Sequence, residues 1–284
     1  YRDAFISKVD ASGNVEWSKE YGESGNSRRD NFSSVKQTSD GGYIISGEFQ
    51  TGPQQHTDAW LVKTDASGNE EWSKTYGWGS GASGSEGFSD IQITSDGGFI
   101  LVGSTDSVGA GGRDIYLVKV DSSGNEEWYK TLGGSGNDSA TVGTLQLTSD
   151  GGYIFGGGDG NNGMYVVKTD GSGNQEWDQT FTYSNVQTIQ SIQLSSDGGY
   201  YLTGWSNSFS TGNNNDIYII KIDSSGSEEW SQNYGGDQKD DVAYDAVLAP
   251  DGKLYALGWT RSFGPTSTYN MYLIKVDSQG NQEF

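Results

Sequence analysis

Five times along its 284 residues the chain returns to one short phrase. "TSDGGYI" stands at 38–44 and 148–154, "TSDGGFI" at 94–100, "SSDGGYY" at 195–201 and a looser "APDGKLY" at 249–255. Its aspartates, Asp40, Asp96, Asp150, Asp197 and Asp251, are 56, 54, 47 and 54 residues apart. A second phrase follows it, Lys-x-Asp-x-x-Gly-(Asn/Ser)-x-Glu-Trp, with copies ending at Trp17, Trp72, Trp128, Trp177 and Trp230. In a sixth copy Phe284 replaces the tryptophan. A period near 50 residues makes each unit one supersecondary element, which must stack on its neighbours to bury its apolar faces.

Each unit holds four short runs rich in Ile, Val, Tyr and Trp, separated by Gly, Asn, Ser and Asp. In the first complete unit they are "SSVKQT", "GYIISGEF", "AWLVKT" and "NEEWSKTY", here named A to D. Such runs read as strands, and no sustained helical period competes with them. Four strands in about 50 residues is the size of one propeller blade. The expected fold is therefore all-β, a β-propeller of four-stranded antiparallel blades forming one domain over 1–284. The C–D hairpin occurs six times and the A–B hairpin five. Six sectors with one incomplete are expected, with five, seven or eight as alternatives. The uneven count also suggests a fragment of a longer array.

The glycine-rich phrases read as turns. In "KVDASGNVEW", pairing Asp10 with Asn14 leaves three loop residues, the last of which, Gly13, takes a left-handed conformation. The same rule pairs Thr38 with Gly42 and makes Gly41 left-handed. Pro250 in the fifth copy fits the first central turn position and argues against a phosphate cradle, which needs N–H donors. "DxSGN" lacks the acid spacing of a calcium hand. Continuing the register places Lys8 opposite Glu16, and likewise Lys63–Glu71, Lys119–Glu127, Lys168–Glu176, Lys221–Glu229 and Lys275–Glu283, six favourable cross-strand pairs. That register groups Phe5, Val9 and Trp17 on one face and Leu61, Leu117 and Val166 with the Lys–Glu pairs on the other. Both faces are apolar, so the sheets must be sandwiched. Trp17, Trp72, Trp128, Trp177, Trp230 and Phe284 are expected to dock one blade on another.

The order "DGGYIISG…DAWLVKTDASGNEEW" resembles the repeats of pyrroloquinoline-quinone-type propellers, whose docking motif runs Asp…Gly…Trp. Here the spacing between Asp and Gly is one residue shorter. The chain is more closely similar to the tandem "TSDGGYI…LVKTDxxGNxxW" repeats of secreted bacterial and archaeal surface proteins. The resemblance implies a propeller and an extracellular or cell-surface address, and carries no specific activity.

Composition narrows the chemistry. The formal charge of −21 opposes nucleic acid and anionic membranes as partners. Without cysteine there is no thiol catalysis, disulfide or cysteine-based zinc site. The one histidine, His56, lies in a loop, and no nucleophile-elbow sequence is present. Most acids belong to the repeat. The chain is therefore expected to be no enzyme and to need no cofactor. Its expected role is that of a cell-surface, adhesive or assembly module whose partners are other chains or further repeats. The alternative is a glycan-binding propeller, attached or not to a carbohydrate-active enzyme.

Departures from the repeat mark the candidate ligand residues. After the strand-B glycine stand Glu48, Ser104, Gly157, Trp205 and Trp259. Only the last two are tryptophans, and polar loops follow them. Aromatic platforms beside Asn213, Asn214 and Arg261 suit a sugar ring with its hydroxyls, and filling gaps between blades is the competing explanation. "GGDQKDDVAYD" gathers Asp237, Asp240, Asp241 and Asp245, an all-oxygen set suited to calcium or a solvated loop.

Overall fold

The computed structural model describes residues 3–22, 30–51, 56–77, 84–161, 163–182, 187–208, 214–236, 239–264 and 268–284. Among these the regular elements are strands, and every pairing is antiparallel. The chain is all-β and built from propeller-type blades. It divides into two compact units, 1–136 and 137–284.

In the first unit, β1 (Ala4–Val9) and β2 (Val15–Tyr21) form a hairpin sheet. The second sheet is β3 (Asn31–Gln37), β4 (Tyr43–Gln50), β5 (Thr57–Thr64) and β6 (Glu70–Tyr76) in sequential order. The third repeats it with β7 (Glu86–Ile93), β8 (Phe99–Thr105), β9 (Asp114–Val120) and β10 (Glu126–Leu132).

In the second unit the first sheet has its outer strand broken into β11 (Ser139–Ala140) and β12 (Gln146–Leu147), both paired with β13 (Tyr153–Gly158). It continues through β14 (Met164–Thr169) and β15 (Gln175–Phe181). Then follow β16 (Gln187–Leu194), β17 (Tyr200–Ser206), β18 (Asp216–Ile222) and β19 (Glu228–Tyr234). The last sheet is β20 (Asp241–Leu248), β21 (Leu254–Thr260) and β22 (Asn270–Val276).

The turns form as their residues dictate. Asp10 N–H donates to the Asn14 carbonyl at 2.8 Å and Thr38 N–H to the Gly42 carbonyl at 3.0 Å. Gly13 and Gly41 have φ of 83° and 85°. The second glycine of "DGG" answers a different need. A Cβ on Gly42 would overlap the Thr64 carbonyl oxygen and lie 2.8 Å from Lys63 Nζ. The close approach of the Thr64 backbone carbonyl, with the buried ammonium beside it, excludes a side chain there whatever the backbone conformation.

That ammonium organises each blade. Lys168 is 2% exposed, and its Nζ donates to Asp150 at 2.8 Å, Glu176 at 2.6 Å and the Thr169 carbonyl at 3.1 Å. Lys63, Lys119 and Lys221 repeat the arrangement with Asp40, Asp96 and Asp197 and their Glu partners. The turn aspartate is thus also a lysine ligand. Hydrogen bonds from Thr94 and Lys119 hold the Asp96 carboxyl down at about 2.

All six expected Lys–Glu ion pairs exist, from Lys8–Glu16 at 2.6 Å to Lys275–Glu283 at 3.1 Å. In the five complete C–D hairpins they do not arise from direct opposition. Val9 pairs with Val15 and Lys8 with Trp17, so Glu16 is the extra residue of a β-bulge. The same bulge recurs at Lys63/Thr64, Glu126/Trp128, Lys168/Thr169 and Lys221/Ile222. One inserted residue moves the tryptophan to the lysine's face, away from Val62 and its equivalents.

On that face it meets the next sheet. A Cβ on Gly68 would lie 2.8 Å from the Trp17 ring, on Gly124 2.8 Å from Trp72, on Gly226 2.9 Å from Trp177 and on Gly280 3.1 Å from Trp230. Each ring therefore sits flush on a turn glycine. Tyr21, Tyr76 and Tyr234 hydroxyls donate to the Gly68, Gly124 and Gly280 carbonyls at 2.7, 2.7 and 2.8 Å. Behind these clasps lie the cores between sheets, such as Ile44, Leu61 and Ala59 against Leu101, Tyr116 and Val118. Each large side chain buried there contributes roughly 1.5–3 kcal/mol.

Candidate functional site

The departures from the repeat lie at the opposite end of the sheets from the DGG turns. Trp205 pairs with Ile217 across β17–β18, and Trp259 with Met271 across β21–β22. The two tryptophans thus hold the same position in successive sheets, and both are half-buried.

Around Trp259 the structure assembles an aromatic cluster. Its indole N–H donates to the Tyr244 hydroxyl at 3.1 Å, and its ring meets Tyr269 edge-on at 4.7 Å between centroids. Tyr244 reaches this place because the β20 register slips between Ala243 and Asp245, leaving Tyr244 as an exposed bulge residue. Tyr269 is 68% exposed. The Arg261 guanidinium lies 5.7 Å over the Tyr269 ring and pairs with Asp240 at 3.2 Å. The other Asp240 oxygen accepts the Asn215 N–H at 3.0 Å, beside Asn214. Asp240 therefore ties the residues before β18 to those after β21. Neither Tyr244 nor Tyr269 was singled out by sequence pattern. Their departure from the equivalent serine, glutamine and threonine-rich loop positions was the available signal. Asn213 lies outside the described residues.

The acidic set does not converge. Asp237 lies outside the described residues. Asp240 is engaged by Arg261 and Asn215. Buried Asp241 accepts the Gly236 N–H at 2.9 Å. Asp245 accepts the Ser191 hydroxyl at 3.0 Å and the Ala246 N–H at 2.8 Å. Among the described residues no group of three His, Asp or Glu is placed to hold a metal.

A different set of acids sits at the seams between sheets. A Cβ on Gly77 would lie 2.6 Å from Glu86 Oε2 and 2.9 Å from Asp58 Oδ1, so the two carboxylates share that glycine. Asp216 and Asp241 share Gly235 in the same way. Burial raises the Asp58 carboxyl above its usual value, and burial, helped by Asp58 and Asp106, raises Glu86. The sequence signal was the aspartate of "DAWLVK", "DIYLVK" and "DIYIIK". It reads as a loop acid until the next sheet closes over it.

No protein-family model and no curated protein matches the chain. Among solved structures it is similar to a luciferin-regenerating enzyme, with 12% identity over 99% of this chain and 86% of the other and a TM-score of 0.49. A GH43 endo-arabinanase from Bacillus licheniformis matches with 15% identity over 88% of this chain and 95% of the other, TM-score 0.44. A GH43 β-xylosidase/α-arabinofuranosidase from a compost microbial metagenome, described in a calcium-free form, matches with 13% identity over 90% and 94%, TM-score 0.44.

These comparisons correct one expectation. The missing histidine and cysteine signatures pointed away from catalysis, yet the similar folds include an endo-arabinanase, a β-xylosidase/α-arabinofuranosidase and a gluconolactonase. Glycoside chemistry runs on carboxylates, so scarcity of His and Cys was the wrong criterion. At these identities the likeness concerns the fold and assigns no activity to this chain.

Proposed function

We propose that the chain is a carbohydrate-binding propeller, a single domain over 1–284 working in an extracellular or cell-surface setting. The observation that carries this reading is the exposed Tyr244–Trp259–Tyr269 cluster with Arg261 and Asp240 at its edge. Aromatic faces stack on the C–H faces of sugar rings, while guanidinium and carboxylate groups bond to hydroxyls. Trp205, at the equivalent position of the preceding sheet, and Asn214, next to the Asn215 N–H that Asp240 holds, are the further candidates for ring stacking and hydroxyl binding. The likeness to secreted surface-protein repeats supports the extracellular setting. No helix among the described residues is long and apolar enough to cross a membrane.

The test is a glycan array probed with the native chain and with Trp259→Ala and Tyr269→Ala. Native binding reduced at least tenfold in both variants is expected. Absence of native binding, or equal binding by all three, would overturn the reading. Any bound oligosaccharide should also be assayed for reducing-end release, because the fold does not exclude hydrolysis.

A second reading, a surface assembly module joining other chains or further repeats, is favoured by the exposed apolar side chains of Met271 and Leu273.

A further inference from the structure

Trp259 and its cluster belong to the unit 137–284, and they leave unexplained a groove within the unit 1–136. The groove has a volume of about 390 Å³ and is lined by Phe49, Trp60, Glu70, Ser73, Lys74 and Thr75. Gly22, which follows β2, also borders it, so it lies where the β1–β2 hairpin meets the β3–β6 sheet. Small-molecule sites span about 300–1,000 Å³. A volume at the lower end suits one or two small rings.

The repeat is broken at its aromatic wall. Trp60 pairs with Gly47, and the residues that pair with the equivalent glycines are Tyr116, Tyr165, Tyr218 and Tyr272. Phe49 pairs with Asp58, where Thr105 pairs with Asp114 and Ser206 with Asp216. The Phe32 ring stacks on Trp60 at 4.8 Å and Phe49 leans on it at 5.3 Å, which fixes the buried indole as a rigid surface.

The repeat is broken again beside that wall. Ser73 pairs with Val62, and its equivalents are Tyr129 in β10 and Asp178 in β15. The Tyr129 ring lies 5.9 Å from Tyr116, and Asp178 accepts the Tyr165 hydroxyl at 3.0 Å. Each thus engages the ring that stands in the Trp60 position. Ser73 instead turns along its own strand and donates to Glu70 Oε1 at 2.7 Å. Ser231 in β19 is equally small, but there Tyr218 and Ser206 stand for Trp60 and Phe49. Lys74 Nζ donates to Asn125 Oδ1 at 2.7 Å, which leaves the ammonium further N–H donors.

We infer that this groove is a further saccharide site, taking a mono- or disaccharide with a C–H face on the Trp60–Phe49 wall and hydroxyls on Glu70, Ser73, Lys74 and Thr75. An aromatic wall beside a polar one matches a sugar ring, which is apolar on its face and polar around its rim. Glu70 and Lys74 carry opposite charges, so the groove favours a neutral ring whose hydroxyls both donate and accept over an ion of either sign. The inference rests on the proposed function only in preferring a sugar to another hydroxyl-bearing ring.

Fluorine NMR localises the binding. The chain has nine tryptophans, and 5-fluorotryptophan labels each. Trp60→Phe and Trp259→Phe identify two of the lines. The probes are cellobiose, xylobiose, maltose and N,N′-diacetylchitobiose, titrated to about 20 mM because a shallow site binds weakly. At least one should shift the Trp60 line saturably, and Trp259→Ala should leave that shift unchanged. Ser73→Tyr fills the groove with the residue that β10 carries there, and Phe49→Thr restores the repeat at the wall. Each should weaken the shift at least tenfold. Ser73 is exposed, so its variant should fold, which melting curves would verify, and Phe49→Thr decides the matter if it does not. A Trp60 line that no disaccharide moves would overturn the inference, as would one that moves equally in the native chain and both variants. A shift of the Trp259 line alone would support the proposed function and overturn this site. A shift of the Trp60 line alone would support this site and leave the Trp259 cluster without a ligand.

Discussion

Replacing Lys168 with methionine tests the ion network that each repeat builds. The ammonium is buried, while its partners Asp150 and Glu176 are 59% and 44% exposed. Burial alone would lower the lysine's pKa, but Asp150 and Glu176 outweigh it and raise the value. The charged lysine is therefore better placed in the folded chain than in water. Methionine keeps the stem's volume and removes the charge. A charge-assisted hydrogen bond contributes roughly 1.5–3 kcal/mol, which exposure of both carboxylates cuts to about 1 kcal/mol each. Relief of the ammonium's desolvation offsets part of that. The net expectation is a loss of roughly 1–2 kcal/mol at pH 7, read from urea unfolding followed by tryptophan fluorescence.

The pH dependence makes this test specific. Lys168 and Thr148 hold the folded Asp150 carboxyl down at about 2, below its ordinary 3.8. A depressed carboxyl contributes stability that is fully present above its unfolded value and is lost as pH falls toward the folded one. The gap between native and Lys168→Met should therefore hold from pH 7 to about 4 and shrink from about 4 to 2. A gap unchanged between pH 7 and 2.5, or a variant more stable than the native chain at pH 7, would refute the account.

Tyr76→Phe removes a buried hydroxyl that donates to the Gly124 carbonyl at 2.7 Å, and should cost about 1 kcal/mol in the same unfolding assay. The buried Glu86 carboxyl is raised by burial and by Asp58, so its ionised form is what folding disfavours. Glu86→Gln should raise the melting temperature at pH 7 and leave it unchanged below about pH 4, where the glutamate is protonated in either state. Equal effects at both pH values would show that its role is hydrogen bonding to Thr105 and Ser107 alone.

The residues of the chain, read alone, determined the period, the strands and the turns, because each turn is decided by residues within five positions of one another. Asp10 with Asn14, Thr38 with Gly42, and left-handed Gly13 and Gly41 needed no knowledge of the rest of the molecule. The Lys–Glu pairs were legible for the same reason, eight residues apart across a hairpin.

Only the tertiary structure decided which face each side chain uses. A bulge at Glu16 and its equivalents shifts everything beyond it by one residue, and a one-residue shift reverses a strand's faces. Trp17 therefore reaches Gly68, 51 positions away, a contact encoded in no local pattern. The seam acids Asp58 and Glu86 were hidden likewise, since an aspartate beginning a strand becomes buried only when another sheet covers it. At the candidate site, Trp259 was visible as a departure from the repeat, but Tyr244 and Tyr269 joined it through a register slip and a loop return. Coverage is likewise a property of stacking. Ile217 is fully buried because Ala243, Ala246 and Ala256 of the following sheet pack on it, which no residue near it in the chain records.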